Sequence, residues 1–192
     1  AAEYRDDHTG IHVKRVSHYT RLLSEQLGMS TEFCDQIFYA SPMHDIGKIG
    51  IPDQILLKPD SFEPAEREIM KRHVLIGSDI LAGNSSPYFQ MGRDIALGHH
   101  ERWDGGGYPS GLKGEAIPLP ARIMQLVDVY DALRSKRPYK SAFTHEKSLR
   151  IIREGDGRTA PSHFDPAVLE AFIKRAQDCE AIFAQSESMQ AW

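Results

Sequence analysis

The stretch ARIMQLVDVYDALRS, residues 121–135, reads as a helix that leaves little of itself for solvent. Leu126, Val127, Val129, Tyr130 and Leu133 crowd around Asp128, and a helix apolar on most of its faces belongs inside a bundle. Pro120 stands at its start, where the missing N–H of proline costs nothing. A carboxylate buried there is expensive unless it is paired or binds a metal. Asp131, three residues on, lies on nearly the same face. A buried ion pair with a nearby arginine and a metal site are both open readings of these aspartates.

Working outward, the preceding segment ERWDGGGYPSGLKGEAIPLP, residues 101–120, cannot be regular helix or strand, given glycines at 105, 106, 107, 111 and 114 and prolines at 109, 118 and 120. Long ordered loops in compact domains usually carry function. The rest reads as helix: about 6–27 with Gly28 as C-cap, and from Ser30 or Thr31 to about Asp45 or Gly47 with a kink or break at Pro42. Further helices are expected from Pro64 to about Gly83, from about Gln90 to His100, from Thr144 to about Gly155, and from Asp165 to about Gln185. Residues 49–64 read as a long loop, and 186–192 as a frayed tail after a single domain of residues 1–185. The fold class is all-α, a helical bundle with a long loop over its mouth.

Composition narrows the function. The chain has 192 residues, enough for one domain with a real core. No run of 18 apolar residues exists, so no membrane-spanning helix is expected, and no signal peptide is visible. Cys34 and Cys179 lie far apart without metal-ligand spacing, which suits free thiols in a reducing cytoplasm. A net charge of −4 supplies no broad basic face for duplex nucleic acid, although a small anionic ligand can still bind through local cations or metals.

The nine histidines are the unusual feature. His44-Asp45 is followed at once by Gly47 and Lys48, so that a lysine amine can sit close to an anion bound at the pair. His99-His100 ends a helix, where two neighbours can reach one centre; alone, the pair reads as surface histidines. His73 lies on an otherwise apolar helix and alone reads as a core residue. Together with Asp128 these make a set of nitrogen and oxygen donors suited to first-row transition metals, and a bridged pair of such ions is equipment for attack on a phosphodiester.

HDIGKIGIPDQILLKP, a later histidine, GHHERWDGGGYPSGLKGEAIPLPARI, DVYDAL and RPYK together resemble the HD-GYP family, a branch of the HD phosphohydrolases. The similarity runs from about Tyr4 to Phe172 in the same order and spacing, and the GYP triplet is Gly107, Tyr108 and Pro109. The resemblance implies an HD-domain helical bundle with a Gly/Pro-rich GYP loop over a metal site. It implies one ion held by His12, His44, Asp45 and Asp128, and a second held by Asp45, His73, His99 and His100, with Asp45 as the bridge. Lys48 and Asp131 match positions that touch the scissile phosphate or its surroundings and share the catalytic role with Asp45. Tyr108 and Arg137 match positions that hold the dinucleotide. Two departures stand out. His8 replaces a glutamate found in three-metal members, so a dinuclear site is expected, with His8 more readily an unligated neighbour than a nitrogen donor. Lys140 replaces a frequent arginine, keeping charge and losing the bidentate fork.

The expected activity is therefore hydrolysis of cyclic di-GMP to linear pGpG, with a second cut to GMP left open, in bacterial second-messenger signalling. The cofactors implied are two divalent transition-metal ions, iron or manganese first and nickel, zinc or cobalt also admitted. The alternatives are a weakly active or non-catalytic receptor or docking module, and a phosphohydrolase for another dinucleotide such as cyclic GMP-AMP. The GYP loop is also a candidate docking surface for a GGDEF-type or other signalling protein, and an upstream regulatory domain is expected in the full-length protein.

Overall fold

The computed structural model describes residues 10–135 and 142–188, and in these it is all-helical, with no strand. Ten α-helices follow in order: α1 Gly10–Gln26, α2 Thr31–Ala40, α3 Asp53–Leu56, α4 Pro64–Lys71, α5 His73–Leu81, α6 Pro87–Gly98, α7 Leu119–Arg134, α8 His145–Glu154, α9 Pro166–Lys174 and α10 Ala176–Ser188. Short 3-10 turns occupy Ser41–Met43, Ile46–Gly50, Gly114–Ala116 and Pro161–His163.

The helix α7 is the axis of the domain. Ile123, Met124, Leu126, Val127 and Tyr130 are all at most 1% exposed, and they pack with Val16, Tyr19 and Leu23 of α1, Ile37 of α2, Ile95 of α6, and Phe164, Val168 and Phe172 near the C-terminal end. At about 25 cal/mol per Å² of apolar surface, each such side chain contributes on the order of 2 kcal/mol by leaving water. Local signals fix the ends. Gly28 takes φ +73° behind α1, and the Met29 amide donates to the Ser24 carbonyl. Ser30, Thr144 and Asp165 cap α2, α8 and α9 by accepting from the amides of Phe33, Lys147 and Ala167.

The structure differs from the sequence expectations at four places. The helix expected to reach Asp45 stops at Ala40, and the chain tightens into 3-10 turns on both sides of His44-Asp45. The loop expected over 49–64 contains α3, which buries Ile55 and Leu56 with Ile51 in a small second cluster under Phe62, Met70 and Ile76. The helix expected over 64–83 is broken at Arg72, whose amide bonds three residues back to Ile69, while the Met70 carbonyl accepts from the His73 ring. The last helix is likewise two, separated at Arg175, and α10 continues to Ser188, three residues into the stretch expected to fray. Ser186 and Glu187 face the guanidinium of Arg15 there.

Candidate metal centre

Five elements converge on one point. His12 comes from α1, His44 and Asp45 from the tight turns after α2, His73 from the first position of α5, His99 and His100 from the C-terminal end of α6, and Asp128 from the middle of α7. Their donor atoms form two groups, Asp45 with His73, His99 and His100, and His12 with His44 and Asp128, each group lying within 4.8 Å. The family resemblance implies the same residues with Asp45 shared by both sets, and Asp45 lies between the two groups: its Oδ2 is 3.2 Å from His44 Nε2 and its Oδ1 3.4 Å from His73 Nε2 and 3.7 Å from His99 Nε2.

A glycine makes this convergence feasible. A Cβ on Gly47 would stand 1.9 Å from the His73 carbonyl oxygen and 2.4 Å from the Gly77 amide, so the turn carrying Asp45 and Lys48 lies directly on the backbone of α5. Only a residue without a side chain permits that approach.

Three of the histidine rings are also oriented from behind. His44 Nδ1 donates to the Ser41 carbonyl at 2.9 Å, His73 Nδ1 to Met70 at 2.7 Å, and His99 Nδ1 to Ile95 and Ala96 at 3.0 and 3.1 Å. With the proton on Nδ1, each Nε2 presents a lone pair forward. The Nε2 atoms of His44, His73 and His99 are buried and accept no hydrogen bond in the protein. Buried polar atoms without a partner are costly, and here three aim at one carboxylate. The donor set, five imidazoles and two carboxylates, suits a divalent transition metal in each group.

For two of the rings, electrostatics agree with that use. Burial pushes His73 down to about 4 and, with the neighbouring His99 and His73 rings, holds His100 well below its ordinary value; both rings therefore stay neutral and competent to ligate. Burial alone would raise Asp45, but the charges of His44 and Lys48 outweigh it and hold the carboxyl well below the usual carboxylate range. Burial likewise opposes protonation of His44, and the carboxylate of Asp45 beside it turns the balance upward. Lys48 Nζ lies 2.8 Å from Asp45 Oδ2, beside the His-Asp pair. Asp45 and Asp128 remain 23% and 26% exposed, which marks the side open to a ligand.

Asp131, expected to touch the scissile phosphate or its surroundings, has a carboxylate that is 1% exposed and bonded within the protein. It accepts from His12 Nδ1 at 2.7 Å and from the Arg15 fork at 2.6 and 2.9 Å. Burial would raise its pKa, yet the hydrogen bonds from His12 and Arg15 bring it to about 2. Arg15 is the residue that sequence reading missed, although it lies three residues after His12 on α1 and the spacing marks it as a neighbour.

The GYP loop closes one wall. Tyr108 stacks on His100 with ring centroids 4.8 Å apart and planes at 24°, and Lys71 Nζ stands 5.4 Å over the Tyr108 ring. The loop is held by Glu101, a buried residue not singled out from sequence, whose two carboxylate oxygens accept from the amides of Ser110 at 2.7 Å and Leu112 at 3.0 Å. A Cβ on Gly107 would meet the Arg102 amide at 2.3 Å and the His100 carbonyl at 2.5 Å, so the strand of loop bearing Tyr108 lies flush on the end of α6. His8, Arg137 and Lys140 fall outside the described residues.

Comparison with known proteins agrees. The family model described as HD domain matches residues 1–168. A probable cyclic di-GMP phosphodiesterase of Vibrio cholerae is 44% identical over 97% of this chain and 45% of its own length. The cyclic di-GMP phosphodiesterase response regulator RpfG of Xanthomonas campestris pv. campestris is 46% identical over 100% of this chain and 50% of its own. A 3′3′-cGAMP-specific phosphodiesterase 2 of V. cholerae is 40% identical over 96% of this chain and 34% of its own. The chain thus spans about half, or less, of the length of the curated relatives it matches. A crystal structure of a cyclic GMP-AMP specific phosphodiesterase from V. cholerae shares the fold, with TM-score 0.57 and 19% identity over 91% of this chain and 50% of that one. With a family model over most of its length and relatives above 40% identity, the chain belongs to the HD-domain family, in its HD-GYP branch.

Proposed function

We propose that this chain is the catalytic domain of a metal-dependent phosphodiesterase that hydrolyses cyclic di-GMP to linear pGpG. The observation that supports it is the meeting of two ligand groups around Asp45, with three buried Nε2 atoms that accept nothing from the protein. His12, His44, Asp45 and Asp128 would hold one ion and Asp45, His73, His99 and His100 the other, iron or manganese being the favoured identities. When bound, such a pair of ions lowers the pKa of a water into the neutral range and neutralises charge on phosphoryl oxygens.

The protein's own groups do the rest. The exposed edges of Asp45 and Asp128 set the side from which the phosphodiester approaches. Lys48, anchored on Asp45, places a positive charge where charge grows on the phosphate oxygens and where a leaving 3′ oxygen needs a proton. Tyr108 supplies an aromatic face beside the centre, fixed by its stack on His100 and suited to a nucleobase or ribose edge. The GYP loop orients the dinucleotide and offers a surface to a GGDEF-type or other signalling protein. Arg137 and Lys140 are assigned to the substrate phosphates. The setting is a cytoplasmic signalling protein with a regulatory domain upstream, and no helix among the described residues is long and apolar enough to cross a membrane.

A second reading, hydrolysis of 3′3′-cGAMP, is favoured by the relatives bearing that name at 40% and 38% identity. Purified protein, analysed for metal and incubated with Mn(II) or Fe(II) and either dinucleotide, decides between them by chromatography of the products. A linear dinucleotide from cyclic di-GMP supports the first reading, and turnover confined to cGAMP supports the second. Two ions without any product would leave a receptor module.

A further inference from the structure

The histidines of the centre are mounted in two different ways. His44, His73 and His99 are each held through Nδ1 by a carbonyl three or four residues back in their own segment. His12 is held by the side chain of Asp131, which comes from another helix. Asp131 is in turn gripped by Arg15, whose Nε donates to Oδ1 at 2.6 Å and Nη2 to Oδ2 at 2.9 Å, a two-point fork in a site closed to water.

Arg15 does not stop there. Its Nη2 donates to Ser135 Oγ at 3.0 Å, its Nη1 reaches Ser186 Oγ at 3.4 Å and Glu187 Oε1 at 3.5 Å, and its guanidinium lies 4.8 Å over the ring of Phe183. Phe183, Ser186 and Glu187 all belong to α10, which otherwise contributes nothing to the centre. Arg134 stacks on the Phe183 ring at 4.2 Å and pairs with Glu180, so the helix is clasped to α7 at two points.

We propose that Arg15 and Asp131 are positioning residues for His12, and that α10 completes their mount, so that one ion site of the centre, and not the other, depends on the docking of the C-terminal helix. The proposal rests on the reading of this cluster as a metal centre. An ionised Asp131 can only accept, so it keeps the proton of His12 on Nδ1 and turns Nε2 toward Asp128, 3.9 Å away. Without the Arg15 fork the carboxylate is free to rotate, and His12 loses both its tautomer and its angle. Among the described residues, the rings of the other group (Asp45, His73, His99 and His100) are held by their own backbone or by the loop and not by this chain of side chains.

The test measures Mn(II) stoichiometry and affinity by elemental analysis and titration calorimetry, in the full chain, for Arg15→Met, Arg15→Lys and Phe183→Ala. Wild type is expected to bind two ions. Arg15→Met is expected to lose affinity for one of them by about 10- to 100-fold, the scale found when the outer partner of a metal-bound histidine is removed, and to keep the other. Arg15→Lys recovers part of the loss, and Phe183→Ala shows a smaller loss at the same site. Adding His73→Ala to Arg15→Met should leave no tight site, which identifies the ion retained by the single variant. If Arg15→Met does not fold, Arg15→Met with Asp131→Asn, which buries no lone charge, carries the same test. Phe172→Leu, a core substitution away from the network, controls for stability and must keep both ions.

Two ions of wild-type affinity in folded Arg15→Met would overturn the proposal, as would loss of an ion in Phe172→Leu at matched stability. A silent Phe183→Ala would remove α10 from it. A wild type that binds no Mn(II) would sink the metal centre itself, an outcome distinct from all of these.

Discussion

The helix-borne cluster and the GYP loop face each other across the same opening and are held in place by opposite means. In the cluster, each of His44, His73 and His99 is fixed by a carbonyl within four residues of itself, so its aim is encoded locally and repeated three times over. The loop spans residues 101–118 and is fixed by bonds that reach much farther along the chain: Glu101 reaches amides nine and eleven residues on, and the Trp103 amide donates to the carbonyl of His163 at 2.8 Å. The lesson is a division of tolerance. Groups that must meet a small ion within a fraction of an ångström ride on helices and tight turns, whereas a wall that meets a larger, flexible ligand can hang from one carboxylate.

That division fails or stands on a graded set of substitutions. Asp45→Ala removes the carboxylate common to both ligand groups, and it is expected to abolish both metal binding and turnover, read by elemental analysis and product chromatography. A metal-loaded, active variant would break the cluster side of the comparison outright. Gly107→Ala forces a methyl against the Arg102 amide and the His100 carbonyl. It is expected to cost about 1–3 kcal/mol of stability and to raise KM strongly while the ions stay bound, separating loop from cluster.

Glu101→Gln leaves one amide of Ser110 or Leu112 without its acceptor, for about 1–3 kcal/mol. Thermal melts should fall by a few degrees, with KM raised and metal content unchanged; metal loss in this variant would mean that the loop and the cluster are one unit. The smallest effect is expected for Tyr108→Phe, which keeps the stack on His100 and removes only the hydroxyl. Tyr108→Leu, which removes the aromatic face, should raise KM several-fold more, and steady-state kinetics on the two variants distinguish stacking from hydrogen bonding.

Much of the fold and most of the centre were legible in the sequence, for physical reasons that can be named. The apolar wrap of residues 121–135 placed α7 inside the bundle, the break at Pro42 appeared where proline forbids helix, and the residues that gather in the two groups had been named from their chemistry and from family likeness. The divisions at Arg72 and Arg175 were not legible, because helical periodicity runs through both. The partners of Asp131 were not legible for a geometric reason. Residues three apart on a helix differ by about 60° in direction, enough to point Asp128 at the opening and Asp131 at Arg15. Glu101 was hidden in a segment whose glycines drew the eye, and its partners lie too far along the chain for spacing to suggest them.

The contact between the turn at Gly47 and the α5 backbone at Gly77 has a consequence for metal choice. Where the two segments touch there is no side chain to compress, so Asp45 and His73 belong to a single rigid piece with a fixed gap. An ion of larger or smaller radius has to be met by swinging an imidazole about its own bonds, not by sliding one segment along the other. The centre therefore behaves as a stiff gauge with pivoting jaws, and substitution of one divalent metal for another should change ring angles and rate while leaving the backbone where it is.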